Sequence, residues 1–315
     1  MKSKNLFLLL LLATLWGPSF LFIKVAVAEI PPILLAALRI GFAAVLINIY
    51  LFFKDQQLTK DIKFWMHVTI AGFFAHALPF ALINWGEQHI DSALASVLNG
   101  LTPLSAVILA FVMIREESLS IKMVIGVLVG FLGLIVLVLP NIMDGFQATT
   151  TGVVAVTIGA ISYGIGMVYS RKYLMGAPPL HAPSAQLLAT AIYLVPLSFV
   201  IDSPTVLMNV SWQAWSSVLI LATFGTALAF VIYYRLLALA GVSYVSLVTY
   251  LMPIYGVVLG ALFLDEQISF EMLLGMGLIL IGIGLVNHRR SIVKSGITSS
   301  SAKKKLIEEP VVIVK

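Results

Sequence analysis

The chain has 315 residues, of which 60% are hydrophobic and only 10% are charged. Soluble chains carry roughly 45–50% apolar and roughly 25% charged residues, so this composition excludes a water-soluble fold. The net charge of +5 does not indicate nucleic-acid binding, because the basic residues stand between and after long apolar runs. The absence of cysteine excludes disulfides, thiolate metal sites and a cysteine nucleophile.

Ten apolar runs follow one another along the chain, each near the roughly 20 residues that a helix needs to cross a bilayer. The runs are continuous, whereas strands of a membrane barrel alternate polar and apolar residues, so the runs predict helices. We therefore predict an all-α membrane protein with ten transmembrane helices. The predicted spans are 6–28, 33–53, 64–85, 92–114, 123–139, 152–170, 181–201, 214–235, 242–264 and 272–287.

Lysine and arginine are distributed unequally between two sets of alternate loops. All basic residues except Lys24 and Arg39, that is 17 of 19, fall in one set of loops and in the two termini. The other set holds acidic residues such as Glu87 and no basic residue. The positive-inside rule therefore predicts a multi-pass protein of the cell (inner) membrane with both termini cytoplasmic.

The first apolar run could alternatively be a cleavable signal that ends near Ala28. We favour a retained span, because the run is long for a signal and Lys24 lies beside the supposed cleavage site.

The two halves of the chain align with each other at a nearly constant offset. Trp16 aligns with Tyr163 at an offset of 147 residues, and Pro103 aligns with Pro253 at an offset of 150. Copies of a unit with five helices, an odd number, must lie in opposite orientations in the membrane. Inverted repeats are typical of alternating-access transporters, whose substrate site lies near the midplane between the repeats. The predicted units are a first repeat, 1–139, a second repeat, 152–287, and a disordered cytoplasmic tail, 288–315.

Six stretches of the sequence resemble one known family. They are WGPSFLFIK at 16–24, PPILLAALR at 31–39, ALASVLNGLTPL at 93–104, EESLSIKMVIGVLVGFLG at 116–133, SYVSLVTYLMPI at 243–254 and DEQISFEMLLGMGLILIG at 265–282. These stretches are similar to the EamA family of the drug/metabolite transporter superfamily, over about residues 1–288. The resemblance implies a ten-helix 5+5 transporter, in a family that includes exporters of amino acids and other small metabolites.

Polar groups inside the predicted spans are the first candidates for a transport path, because they are costly to bury there. Arg39 lies about 9 Å below the outer end of the second span and needs a partner, water or substrate, or serves as a structural cation. His76, near the middle of the third span, is a candidate for proton coupling or a neutral packing residue. Trp16 and Tyr163 are candidates for aromatic cavity walls or, alternatively, are buried packing residues. Further cavity candidates are Asn99, Gln186 and Tyr250.

No Asp or Glu lies deep in a predicted span. Exchangers of lipophilic cations in the wider superfamily use a membrane-embedded glutamate, so its absence disfavours cationic drugs. The cations and neutral groups of the spans suit a substrate that carries a carboxylate. We therefore predict export of an amino acid or related compound by alternating access. The alternatives are uptake or exchange of another organic anion and, from a different class, a membrane enzyme or a non-transporting scaffold.

The sequence predicts no enzyme, cofactor or metal site. GxSxG, HExxH and P-loop motifs are absent, and His89 and Asp91 share an outer loop without further ligands. The predicted partners are a small-molecule substrate and membrane lipids, with protons and a second copy of the chain as further candidates. Gly126 and Gly130 form a small-residue face that packs helices either within the chain or in a homodimer.

Overall fold

The computed structural model describes residues 2–114, 120–139, 149–178, 180–263 and 269–286. Over these ranges the chain is helical and contains no strand, and one isolated bridge joins Met175 and Ala177. The predicted all-α fold class is therefore confirmed for this part of the chain. The tail predicted at 288–315 lies outside the described residues.

Seven helices among the described residues are long and apolar enough to cross a membrane, and three shorter apolar helices accompany them. Each of these helices overlaps one predicted run, and we number them in chain order. The long helices are α1 Ser3–Val27, α2 Pro32–Phe53, α3 Ile62–Glu87, α4 Leu94–Met113, α6 Thr150–Tyr173, α7 His181–Ile201 and α8 Trp212–Ala240. The shorter ones are α5 Ile121–Leu137, α9 Val242–Tyr255 and α10 Phe270–Val286.

Helices α1, α3 and α8 are irregular near their middles. Helix α1 is interrupted at Gly17 and Pro18, because a proline lacks the N–H that would continue the helical hydrogen bonds. Helices α3 and α8 each contain a π-helical segment, at Phe73–Ala77 and at Thr223–Leu228. Such segments displace the backbone from the regular α-helical bonding pattern and occur frequently at functional sites.

The main helix pairings join the first half of the chain to the second. Helix α2 packs on α7, α6 packs on α3 and α4, and α1 packs on α8. Helices α5 and α10 approach so closely that a Cβ atom added at Gly126 would lie 2.8 Å from the carbonyl oxygen of Gly282. The small-residue face at Gly126 therefore packs helices within the chain.

Candidate functional site

A small cavity lies where the irregular middles of α1, α3 and α8 come together with α2, α4, α6 and α9. Its walls are mostly aromatic and aliphatic. It leaves about 60 Å³ for the centres of water molecules, enough for several waters. The lining residues are Trp16, Ser19, Phe20, Ile23, Arg39, Ala75, Phe80, Ile83, Asn99, Tyr163, Met167, Phe230, Tyr233, Thr249 and Met252.

Arg39 brings a positive charge to the cavity wall and is itself only 4% exposed. Its Nε donates to Thr226 Oγ1 at 2.8 Å, and its Nη2 donates to the carbonyl oxygen of Gly225 at 3.2 Å. Its guanidinium carbon lies 4.0 Å from the centre of the Phe80 ring, a cation–π arrangement. No acidic side chain is among the described residues that line the cavity, so no carboxylate there neutralises this charge.

Trp16 forms an aromatic wall beside Arg39. Its indole Nε1 donates at 2.8 Å to the carbonyl oxygen of Gly225, the same oxygen that accepts from Arg39. The indole ring packs against Phe230 and Tyr233, with ring centroids 5.8 Å and 6.1 Å away. The π-helical segment of α8 therefore fixes both the cation and the indole, through one carbonyl that accepts two hydrogen bonds.

Four of the seven predicted cavity residues line this cavity, namely Trp16, Arg39, Asn99 and Tyr163. The Tyr163 ring lies 6.3 Å from the ring that stacks on the guanidinium. The Asn99 side-chain oxygen has a long contact of 3.5 Å from a threonine hydroxyl one turn along α4. These four residues, widely separated in sequence, come from α1, α2, α4 and α6, and their part in substrate binding stays a prediction.

His76 lies beside the cavity and is not one of its lining residues. Its ring is completely buried and meets the rings of Phe230 and Phe80 edge-on, with centroids 4.3 Å and 5.8 Å away. Neither ring nitrogen has a hydrogen-bond partner among the described residues. His76 therefore contacts two aromatic walls of the cavity from behind.

Gln186 and Tyr250 are buried outside the cavity. The Gln186 side-chain oxygen accepts a hydrogen bond from the Tyr234 hydroxyl. The Tyr250 hydroxyl donates to the carbonyl oxygen of Val127 at 3.0 Å, so this tyrosine links α9 to α5. In the conformation described, both residues contact protein groups and neither faces the cavity.

Glu87 departs from the sequence-based expectation. It ends α3 and is completely buried, although the sequence assigned it to an outer loop. The predicted span ended at residue 85, whereas α3 extends to Glu87 and α1 packs against its last turn, so this acid lies at the end of a helix and not in a loop. The ammonium of Lys24, on α1, donates hydrogen bonds to the carbonyl oxygens of Glu87 at 2.6 Å and Ile90 at 3.1 Å.

Two polar links join the halves at the predicted outer end of the cavity. The Glu29 carboxylate accepts from the Ser211 hydroxyl at 2.5 Å and from its backbone N–H at 2.6 Å. These hydrogen bonds, the hydroxyl first, lower the pKa of the exposed Glu29 carboxyl below its ordinary value. Asp202 accepts from the backbone N–H of Leu34 at 3.1 Å. The described conformation is therefore bridged between the two halves at this end.

Sequence reasoning missed the groups that hold Arg39. Thr226 was recognisable only as the residue that aligns with His76 at an offset of 150, and Gly225 carries no side chain to suggest a role. Phe230 and Tyr233 looked like ordinary apolar residues of a span. A π-helical segment leaves no local sequence pattern, so the internal repeat was the one signal that pointed to this region.

Comparisons with known proteins identify the family. The sequence profile of the EamA-like transporter family matches residues 3–139 and 150–288. An uncharacterized transporter of Archaeoglobus fulgidus is 27% identical, over 91% of this chain and 100% of its own. A probable amino-acid metabolite efflux pump of Salmonella typhimurium is 26% identical, over 90% of this chain and 94% of its own. One solved crystal structure shares the fold, with a TM-score of 0.72 and 21% identity over 90% of this chain and 96% of its own. The chain therefore belongs to the EamA-like transporter family, as its motifs indicated, and is a multi-pass membrane transporter.

Proposed function

We propose that this transporter moves a small metabolite with a carboxylate group, and that it exports an amino acid. The observation that carries the proposal is the buried guanidinium of Arg39 at a cavity whose described lining residues include no acid. A buried charge is costly unless it is paired. A substrate carboxylate supplies that partner, because the planar guanidinium can donate two parallel hydrogen bonds to it.

The rest of the cavity favours an amino acid over a simple organic anion. The aromatic faces of Trp16, Tyr163 and Phe230 can attract a substrate ammonium group by cation–π interaction, and Asn99 offers a side-chain oxygen. The apolar walls suit an aliphatic or aromatic side chain. The name of the Salmonella relative points to the same substrate class. Uptake or exchange of another organic anion is the competing function.

Alternating access between two inverted repeats is the mechanism that we propose. In it, α1 to α10 all cross the cell membrane as two five-helix units, over 1–139 and 152–287, with both termini cytoplasmic. The unequal distribution of basic residues supports this topology, as does the position of the cavity among helices from both units. Because the cavity is small in the described conformation, its walls move apart in this mechanism to admit a metabolite. Reporter fusions that place the C-terminus outside would contradict this topology.

Flux measurements in proteoliposomes test the proposed substrate class. A panel of radiolabelled amino acids and organic acids is offered to the purified chain and to Arg39→Lys. We expect the variant to bind an amino acid at least about tenfold more weakly, a loss of about 1.4 kcal/mol, because lysine keeps the charge and loses the planar fork. Arg235→Lys, at an exposed position outside the cavity, is the matched control. Normal affinity combined with lower protein abundance would instead make Arg39 a structural residue.

A further inference from the structure

A buried carboxyl group lies one turn beyond the cavity, at the end of α3. Glu87 follows the cavity-lining residue Ile83 by one helical turn and is completely buried. Its Oε2 accepts a hydrogen bond from the Ser92 hydroxyl at 2.7 Å. Its Oε1 is buried and has no hydrogen-bond partner among the described residues. An ionised carboxylate with a single donor is costly in such a site.

Asn84 presents a second buried oxygen without a donor on the same helix. Its amide nitrogen donates to the carbonyl oxygen of Pro32 at 3.0 Å, and its Oδ1 has no partner in the described part of the chain. Asn84 and Glu87 are three residues apart, so they lie on one face of α3. Two neighbouring acceptors therefore lack a donor. A proton on the Glu87 carboxyl creates a hydroxyl, which can donate a hydrogen bond on this face.

The charged groups around Glu87 leave the carboxyl without an ion pair in the described residues. On α1, the Lys24 ammonium is directed to backbone carbonyl oxygens, including that of Glu87 itself. On the loop into α4 lie His89 and Asp91, and α6 has no titratable side chain between 149 and 156. No cluster of three His, Asp or Glu suited to a metal ion occurs in this part of the chain. A hard divalent cation takes roughly six or more oxygen ligands. The two oxygens without a donor are too few for such an ion, and a lysine ammonium lies nearby. The ligand that fits this site is therefore a proton.

We propose that Glu87 is a proton-binding site of the transport cycle, an inference that rests on the proposed transport function. The Glu87 carboxyl holds one proton in the described conformation, in which its last helical turn is covered by α1. The carboxyl group releases that proton to water and becomes a carboxylate when α1 and α3 separate at the outer end of the cavity. Protonation and release at this residue then accompany the change between the two orientations of the carrier, and they couple transport to a pH gradient.

Infrared difference spectroscopy on the reconstituted full chain tests the proton site without any substrate. We expect the carbonyl stretch of a protonated carboxylic acid at neutral pH in the natural chain, and its loss in Glu87→Gln. Glu29→Gln is the matched control, because it removes an exposed carboxyl whose pKa is lowered. The band should therefore persist in Glu29→Gln. A band that is absent from the natural chain, or that survives in Glu87→Gln, overturns the proposal.

Flux of radiolabelled amino acids in proteoliposomes tests the coupling. A pH difference of one unit can sustain an about tenfold substrate gradient when one proton moves with each substrate. We expect Glu87→Gln to abolish this accumulation and Glu87→Asp to retain part of it, because aspartate still titrates. Counterflow without a pH gradient should persist in Glu87→Gln, which also shows that the variant folds.

The two proposals fail in different ways in these experiments. A Glu87-dependent band without amino-acid flux contradicts the proposed substrate class and leaves the proton site standing. Amino-acid flux that responds equally to a pH gradient in the natural chain and in Glu87→Gln overturns the coupling role and leaves the proposed function standing. Flux that does not depend on the pH gradient in either chain also overturns the coupling role and leaves the proposed function standing.

Discussion

The two π-helical segments occupy corresponding places in the two halves and differ in their hydrogen bonding. An offset of 150 residues carries Phe73–Ala77 onto the first five residues of Thr223–Leu228. In the second segment, Gly225 and Thr226 accept three hydrogen bonds from Arg39 and Trp16. In the first segment, both ring nitrogens of His76 lack a partner among the described residues.

Gln186 is the candidate hydrogen-bond partner of the His76 ring nitrogens. Gln186 falls at the position of Arg39 when the halves are aligned at an offset of 147. Its amide Nε2 is buried and also has no hydrogen-bond partner in the described part of the chain. Inverted repeats that alternate would exchange their environments between the two states of the carrier. The comparison therefore predicts that Gln186 binds His76 in the opposite state, in which Arg39 leaves Thr226.

Thr226→Val should produce the largest change in the relative populations of the two states of the carrier. Valine keeps the shape of the side chain and removes the hydroxyl that accepts from Arg39 Nε. A hydrogen bond to a charged group contributes about 1.5–3 kcal/mol, so the described conformation should lose about 10- to 150-fold in relative population.

Because the chain has no cysteine, Ile23→Cys in the cavity wall reports this change by its labelling with an impermeant maleimide from outside. We expect faster labelling with Thr226→Val and no change with Thr226→Ser, which keeps the hydroxyl. Equal rates in all three chains would contradict the assigned role of the segment.

His76→Leu should act in the opposite direction and more weakly. It removes the hydrogen bond that we expect between His76 and Gln186, which is a neutral pair contributing about 0.5–1.5 kcal/mol. Labelling of Ile23→Cys should slow by about 2- to 12-fold, and Gln186→Leu should slow it equally. The double variant should be no slower than either single variant, because both remove the same bond. Additive effects would show that the two residues do not pair.

Glu29 provides a smaller, pH-dependent test at the outer end. Its pKa is lowered by the two donors of Ser211, so the link is present above the ordinary value of 4.5 and is lost as the pH falls through the lowered value. Acidification slows maleimide labelling of every thiol, because the thiolate is the reacting form, so the rate is compared with that of the same cysteine in Glu29→Gln at each pH. Below pH 4.5, outside labelling of Ile23→Cys should rise relative to that reference. The effect should be modest, since Glu29 is exposed and solvent screens it. A ratio of the two labelling rates that does not change with pH would show that Glu29 does not control this end.

His76→Gln separates the two candidates for proton coupling and should have the smallest effect. The hypothesis from sequence predicts that flux driven by a pH gradient collapses in this variant while counterflow survives. The structure gives the ring an apolar aromatic environment near the Arg39 cation, where a second positive charge would be costly. We therefore expect gradient-driven flux to persist in His76→Gln and to fail in Glu87→Gln. Collapse in His76→Gln would return the coupling role to the histidine.

Sequence patterns predicted the features that depend on a single segment crossing the bilayer. The length of the apolar runs predicted the helices, and the repeat offsets placed Trp16 and Tyr163 in corresponding positions, both of which line the cavity. The depth of Arg39 marked it as an unusual cation before any contact was known. Sequence reasoning was weaker for Gln186 and Tyr250, because the partner of a buried polar side chain depends on which face of a helix its neighbours cover.

Hydropathy, charge distribution and motifs identify this protein as a helical membrane transporter of the EamA-like family, because these signals are properties of single segments. Which side chains contact one another is set by how the helices pack. Hydrogen bonding in the π-helical segment of α8 directs Gly225 and Thr226 to Arg39, and packing of α1 against the last turn of α3 buries Glu87. These features depend on contacts between residues more than 60 positions apart, and no local pattern encodes them.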